Sequence, residues 1–159
     1  MRQVQRGFTI VEMLVTVVLV SILASAAFPM AELAFQRDKE QQLRRNLREI
    51  REALDAYKQA SDDGRVMRKA DQSGYPPNLQ VLQDGVPNAK DPDGAPIYFL
   101  RRIPRDPFFE KEDMRPAAAT WGTRSYASSA AEPKEGADVF DVYSTMEGAG
   151  INGIAYREW

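Results

Sequence analysis

One carboxylate stands alone in a long apolar segment near the N-terminus. Glu12 is the only charged residue between Phe8 and Ala31, and the next charge after it is Glu32. A charged side chain at the centre of a bilayer costs about 2.5–3.5 kcal/mol on insertion scales, so such a residue is by default functional and needs a partner. Glu12 is therefore the first candidate functional residue, and ion pairing is the chemistry we expect of it.

Most other chemistries are excluded or disfavoured by the composition. The 159-residue chain has no cysteine and no histidine, so it has no disulfide, thiolate nucleophile, imidazole base or common zinc ligand. Its formal charge of −2 offers no overall attraction to nucleic acid. No set of acid, base and nucleophile stands out among the remaining polar residues. We expect a protein that is not an enzyme, has no metal or cofactor and does not bind nucleic acid.

The apolar segment has the length of a membrane span. Residues 8–31 would extend about 36 Å as an α-helix, which exceeds the roughly 30 Å of a bilayer's hydrocarbon core. Arg2 and Arg6 precede the segment without an acidic residue, so the positive-inside rule keeps residues 1–7 in the cytoplasm. We expect a single-pass protein of the inner membrane whose C-terminal domain is periplasmic.

Two other interpretations of this segment are open. Ala24, Ser25 and Ala26 fit the small-x-small pattern of a signal peptidase site, although apolar residues continue past them to Met30. A plain membrane anchor would have the same length. Neither interpretation explains Glu12.

The chain changes character after Pro29. Pro29 has no backbone N–H, so we expect a helix kink or a loosened turn just before it. Residues 32–60 predict the amphipathic half of a stem helix, which is about fifty residues long in total and ends near residues 61–64. Its apolar stripe contains Leu43, Leu47, Ile50, Leu54 and Tyr57. Its predicted solvated face contains Glu40, Arg44, Arg45, Arg48, Glu49, Arg51, Glu52 and Asp55.

Residues 61–159 predict a small globular domain. Residues 61–120 are rich in Gly, Pro, Asp and Asn, which indicates a loop region around a short helix. In the sheet region, 121–159, the segments 125–129, 139–145 and 154–159 have the character of strands. Antiparallel strands covering the apolar stripe of the stem give an α+β fold.

The string RGFTIVEML at positions 6–14 resembles the cleavage and methylation signature of type IV prepilins and type II secretion pseudopilins. The resemblance implies a pilin-like fold, a cut by prepilin peptidase after Gly7 and N-methylation of Phe8. The role of Glu12 can then be argued physically. Because the new amine of Phe8 is a cation in an apolar phase, Glu12 of a neighbouring subunit can neutralise it, and mispaired subunits leave both charges bare.

A second block narrows the resemblance. The strings GYP at 74–76 and YFLRRIPRDP at 98–107 are similar to the loop region of the major pseudopilin of type II secretion. The resemblance implies a structural subunit of a periplasmic filament. Its partners would be its own copies, minor pseudopilins, the prepilin peptidase and an assembly platform. The alternatives are a minor pilin of a type IV pilus and a soluble periplasmic binding domain exported by a signal peptide.

The C-terminal region departs from the family pattern. In the family, the region after the strand that corresponds to residues 141–144 often holds calcium through several aspartates. Residues 144–159 contain Glu147, Asn152 and Glu158 but no aspartate. Calcium takes about six to eight oxygen ligands, so we expect no calcium requirement here. Packing residues are expected to replace its stabilising effect, namely Tyr143, Tyr156 and Trp159.

An insertion is the other departure. Trp121 and Gly122 follow the Asp-Pro pair at 106–107 only after a charged, alanine-containing segment that ends at Thr120. In the better-known members of the family the Trp-Gly pair follows at once. This departure from the family pattern is compatible with a protein from a side branch of the family.

Overall fold

The computed structural model describes residues 9–109 and 114–159, with only the backbone described for residues 26–28. The predicted α+β, pilin-like fold is confirmed, since one long helix is followed by short strands in two small antiparallel sheets. In chain order the elements are α1 (Ile10–Asp62), α2 (Gln80–Asp84), β1 (Val86–Pro87), β2 (Pro96–Ile97), a 3₁₀ helix (Ala117–Thr120), β3 (Trp121–Arg124), β4 (Asp141–Ser144) and a second 3₁₀ helix (Tyr156–Glu158).

The chain forms two compact units, of which the first ends at Asp38. The described part of this unit is the N-terminal portion of α1, whose large apolar side chains are exposed. An 18-residue window of α1 has a mean hydropathy of 2.4 and none of it is buried, so by length and composition it can cross a membrane. Helical structure continues through Pro29, and the kink expected there stays a prediction.

The second unit, Lys39–Trp159, is built around the apolar stripe of α1. All five residues of the predicted stripe are buried, which confirms that prediction. Their side chains share one apolar cluster with Trp121 of β3 and Val142 of β4. Residues of the loop region complete the cluster, namely Val66, Leu79, Leu82, Leu100 and Ile103. The stripe is therefore covered by the loop region as well as by the strands.

The prediction of a solvated face on the stem is wrong for one residue, Glu40. Glu40 is only 6% exposed. It lies three residues before Leu43, at the spacing that places two residues on the same face of a helix. Glu40 therefore belongs to the buried stripe, and its charge needs partners within the domain.

Each of the two sheets consists of one antiparallel pair of short strands. In β1–β2, Val86 pairs with Ile97 and Pro87 with Pro96. Because a proline has no N–H to donate, the Pro–Pro pair can end the ladder after two residues. In β3–β4 four residue pairs form, from Trp121 with Ser144 to Arg124 with Asp141.

Of the three predicted strands, only the one over residues 139–145 is confirmed, with β4 at its centre. The strand at 125–129 is wrong, because β3 ends at Arg124. Hydroxyl groups compete with the ladder there: Ser125 Oγ donates to Asp138 at 2.7 Å and Ser128 Oγ to the Ser125 carbonyl at 3.1 Å. The strand at 154–159 is also wrong, since a single bridge between Ala149 and Ala155 leads into a 3₁₀ helix.

Gly122 leaves space for the ring of Tyr143, which lies across β3 from the neighbouring strand. It pairs with Tyr143 across the ladder. A Cβ atom at Gly122 would lie 2.4 Å from the Tyr143 ring, a distance that carbon atoms do not tolerate. The absence of a side chain at position 122 is therefore what lets Tyr143 lie across β3.

The insertion before β3 is closed at its base by two hydrogen bonds. The backbone N–H of Asp106 donates to Oγ1 of Thr120 at 3.1 Å. The indole N–H of Trp121 donates to the carbonyl oxygen of Pro104 at 2.8 Å. Thr120 and Trp121 are both buried, so the chain returns to the same place in the core after the insertion.

Candidate processing and assembly site

Thr9 caps the N-terminus of α1. Its Oγ1 accepts a 3.2 Å hydrogen bond from the backbone N–H of Glu12, and its carbonyl oxygen accepts one of 3.1 Å from the N–H of Met13. Thr9 is thus the N-cap residue and Glu12 the third residue of the helix. This role of Thr9 is not among the sequence predictions, although a threonine three residues before a glutamate is the pattern of a capping box.

The carboxylate of Glu12 is exposed. The cap uses the backbone N–H of Glu12 and not its side chain. Within residues 9–109 and 114–159 the carboxylate makes no hydrogen bond or ion pair. An acid in the first helical turn is stabilised by the helix dipole by about 0.3–1 kcal/mol. Gly7 and Phe8, the predicted positions of the cut and of methylation, lie outside the described residues.

The other polar side chains in the apolar part of α1 are satisfied by their own helix. The hydroxyls of Thr16, Ser21 and Ser25 donate to backbone carbonyl oxygens three or four residues earlier, each at 2.8 Å. A bilayer offers no water to such groups, so this internal pairing suits an apolar environment. Among the described side chains of residues 10–31, Glu12 is the polar one left without an internal partner.

A cleft in the second unit is lined by an ion-pair network. It has a volume of about 510 Å³, and its charged lining includes Arg51, Arg124 and Asp141. Asp141 accepts hydrogen bonds from Nε of Arg51 at 2.8 Å and from Nη2 of Arg124 at 3.1 Å. The two ion pairs share one carboxylate, so one positive charge remains uncompensated among these three residues, and the pairs join α1 to the β3–β4 sheet. The described residues contain no cluster of three or more side chains suited to holding a metal ion.

Similarity to known proteins covers both the N-terminus and most of the chain. Residues 2–28 match the prokaryotic N-terminal methylation motif. Over 113 residues the chain is 34% identical to the type II secretion system core protein G of Klebsiella michiganensis, covering 67% of this chain and 70% of that protein. The chain belongs to the core protein G family. The core protein G of Klebsiella pneumoniae is 33% identical over 113 residues, which cover 67% of this chain and 71% of that protein.

Membership of the core protein G family confirms the family predicted from the sequence and makes the chain a pseudopilin. The methylation motif and the apolar portion of α1 together indicate membrane anchoring. No solved structure matches the chain significantly.

Asp106 is a buried carboxylate in the second unit. It is 1% exposed. Its Oδ1 accepts a 2.9 Å hydrogen bond from the N–H of Phe108, whereas Oδ2 has no hydrogen-bond partner in the described part of the chain. Burial raises the pKa of Asp106 above its ordinary value, and the neighbouring Ser144 hydroxyl and the Phe108 amide offset only part of that increase.

The Asp106→Asn substitution is expected to stabilise this protein at neutral pH. Because the pKa is raised in the folded state, the contribution of Asp106 to stability is complete below its ordinary pKa and is lost as the pH rises through the raised value. Asparagine cannot ionise and keeps an oxygen for the Phe108 N–H. The variant's unfolding free energy should therefore rise relative to the wild type as the pH rises, because only the wild type has a buried carboxyl group to ionise.

Urea unfolding of the full-length protein in detergent, followed from acidic to neutral pH, measures this gain. Asp71→Asn is the matched control, because Asp71 is exposed and should give no gain that grows with pH. A loss of stability at neutral pH in Asp106→Asn, or a gain independent of pH, would contradict the prediction.

Proposed function

We propose that this pseudopilin is a structural, non-enzymatic subunit of a type II secretion pseudopilus. Prepilin peptidase removes residues 1–7 by cutting after Gly7 and methylates Phe8. The mature protein then assembles with its own copies into a periplasmic filament that supports protein secretion. The observation that carries the proposal is the exposed Glu12 carboxylate, which lacks an internal partner in the first turn of an apolar helix.

Each segment of the chain has its own part in this function. Residues 8–31 hold the precursor in the inner membrane and form the core of the filament after assembly. Residues 32–60 carry the stripe on which the periplasmic domain, 61–159, is built. The orientation is supported by the two arginines of the leader, which favour the cytoplasmic side. Minor pseudopilins and an assembly platform are the further partners.

The pairing of charges between subunits gives the filament its register. The cut leaves a free amine on Phe8, and a bare charge in an apolar filament core is strongly disfavoured. Glu12 lies near the N-terminal end of α1, where both the helix dipole and an amine attract a carboxylate. When Glu12 of one subunit meets the amine of the next, both charges are neutralised. A subunit added in another register leaves both unpaired.

Deletion of the gene in its own host tests this function. We expect the substrates of the type II system to accumulate in the periplasm instead of the medium, and the wild-type gene on a plasmid to restore their release. Normal secretion combined with the loss of surface pili would favour the minor pilin alternative. Recovery of the protein in the soluble periplasmic fraction would favour an exported binding domain.

A further inference from the structure

The calcium ion that the family resemblance implies does not fit the C-terminal segment, residues 146–159. Among its oxygen-bearing side chains, Asn152 already accepts a hydrogen bond from the N–H of Ile154 through Oδ1 at 3.1 Å. Glu147 and Glu158 are exposed and form no cluster with a third acidic side chain among the described residues. Calcium needs about six to eight oxygen ligands that converge on one point, and this donor set does not supply them.

Glu40 reaches the C-terminal segment from the stem instead. Its Oε1 accepts hydrogen bonds from the backbone N–H of Ile151 at 2.8 Å and from the hydroxyl of Tyr156 at 3.1 Å. Both Glu40 and Tyr156 are buried. The segment therefore directs hydrogen-bond donors at a carboxylate. A calcium site would instead direct oxygen acceptors at a cation.

Two arginines of the stem hold the end of the same segment. Nη2 of Arg51 donates to the main-chain oxygen of Trp159 at 2.7 Å and to the carbonyl oxygen of Val142 at 3.1 Å. The guanidinium of Arg44 lies 4.2 Å from the centre of the Trp159 ring, a cation–π distance. Positive charges at this end of the segment would also repel a bound cation.

We propose that three residues of α1, Glu40, Arg44 and Arg51, form a stem clamp that holds the C-terminal segment of this pseudopilin and takes the place of calcium. The stem clamp joins residues about a hundred positions apart in sequence and uses charge-assisted hydrogen bonds, which are about twice as strong as neutral ones. It is a property of the single subunit and does not depend on the proposed assembly. Tyr156 and Trp159, predicted as packing residues, are the groups on which the clamp acts.

The backbone of the segment supports this arrangement. The N–H of Gly150 donates to the carbonyl oxygen of Ile154 at 2.9 Å, and the N–H of Tyr156 to that of Gly148 at 3.2 Å. The rings of Tyr156 and Trp159 have centres 5.3 Å apart. The stem clamp thus acts on a segment that is already folded back on itself.

Amide hydrogen exchange of the full-length protein in detergent, read out on peptides from residues 146–159, tests the proposal. Exchange in the wild type should be the same with a chelator and with added calcium. Glu40→Ala should speed exchange of the peptide containing Ile151 by about tenfold or more, because hydrogen bonds to a charged group are lost. Arg51→Ala should have a similar effect near Trp159. Calcium should rescue neither variant.

Matched controls are available on the same helix. Glu49→Ala and Arg45→Ala remove exposed charges and should leave exchange of the segment unchanged. If Glu40→Ala unfolds the whole domain, Tyr156→Phe provides the test instead. This variant removes only the hydroxyl donor and should still speed exchange at Ile151. Faster exchange of the wild type on chelation, reversed by calcium, would overturn the proposal. Unchanged exchange in both Tyr156→Phe and Arg51→Ala would overturn it as well.

Discussion

Glu12→Ala and Glu12→Leu are expected to be cut after Gly7 as efficiently as the wild type and to form no filaments. Each contact between subunits would lose one partner of an ion pair in an apolar environment, which costs about 3–5 kcal/mol, or more than a hundredfold in affinity. Precursor and mature forms are separated by mass, and filaments are counted by electron microscopy after shearing.

The N-terminal cap of α1 makes this result interpretable. The cap uses the backbone N–H of Glu12, which both variants keep. The lost interaction with the helix dipole is only about 0.3–1 kcal/mol, too little to explain the absence of filaments. Glu32→Ala is the matched control, because it removes the next acidic residue of the same helix and should assemble. A normal filament yield from either Glu12 variant would contradict the register argument.

The position of the cut is expected to be fixed by Gly7. Gly7→Leu should leave the precursor uncut, because a peptidase that reads the chain at the membrane surface needs an unhindered backbone beside the scissile bond. In the wild type, the mature protein should begin at Phe8 and carry one added methyl group on its amine. Intact mass and N-terminal peptide sequencing of the membrane-extracted protein measure both features.

The same measurement separates the other interpretations of the apolar segment. A signal peptidase acting after Ala26 would leave Ala27 as the first residue and remove the stem needed for assembly. A plain anchor would keep the original N-terminus. Ala26→Leu is the control, since it should leave the cut after Gly7 unaffected but would block signal peptidase. Detection of Ala27 as the first residue would refute the filament function.

The stem is the part of the fold that the sequence predicts best. Its apolar stripe repeats every three or four residues, a local pattern, and every predicted stripe residue is buried. The strands are predicted less well, because a strand depends on its partner as much as on its own residues. The sequence at 125–129 has strand character, yet Ser125 bonds to Asp138 and ends the ladder.

The candidate site shows the same division between local and distant information. Glu12 is evident from the sequence because it is a single charge in an apolar run, and Thr9 could have been found from its spacing to Glu12. The hydrogen bonds of Glu40 could not have been predicted from the sequence, because its partners Ile151 and Tyr156 are more than a hundred residues away. Helical spacing places Glu40 on the stripe but does not show which groups compensate its charge.

The insertion between Asp106 and Trp121 leaves and re-enters the core at one place, through the bonds from Asp106 to Thr120 and from Trp121 to Pro104. The entropy cost of closing a flexible loop rises by only about 0.6 kcal/mol for each doubling of its length. Relatives could therefore gain or lose residues here with little effect on the domain. For the same reason, the insertion is the position at which a peptide tag or a fluorophore could be attached to follow single subunits in living cells.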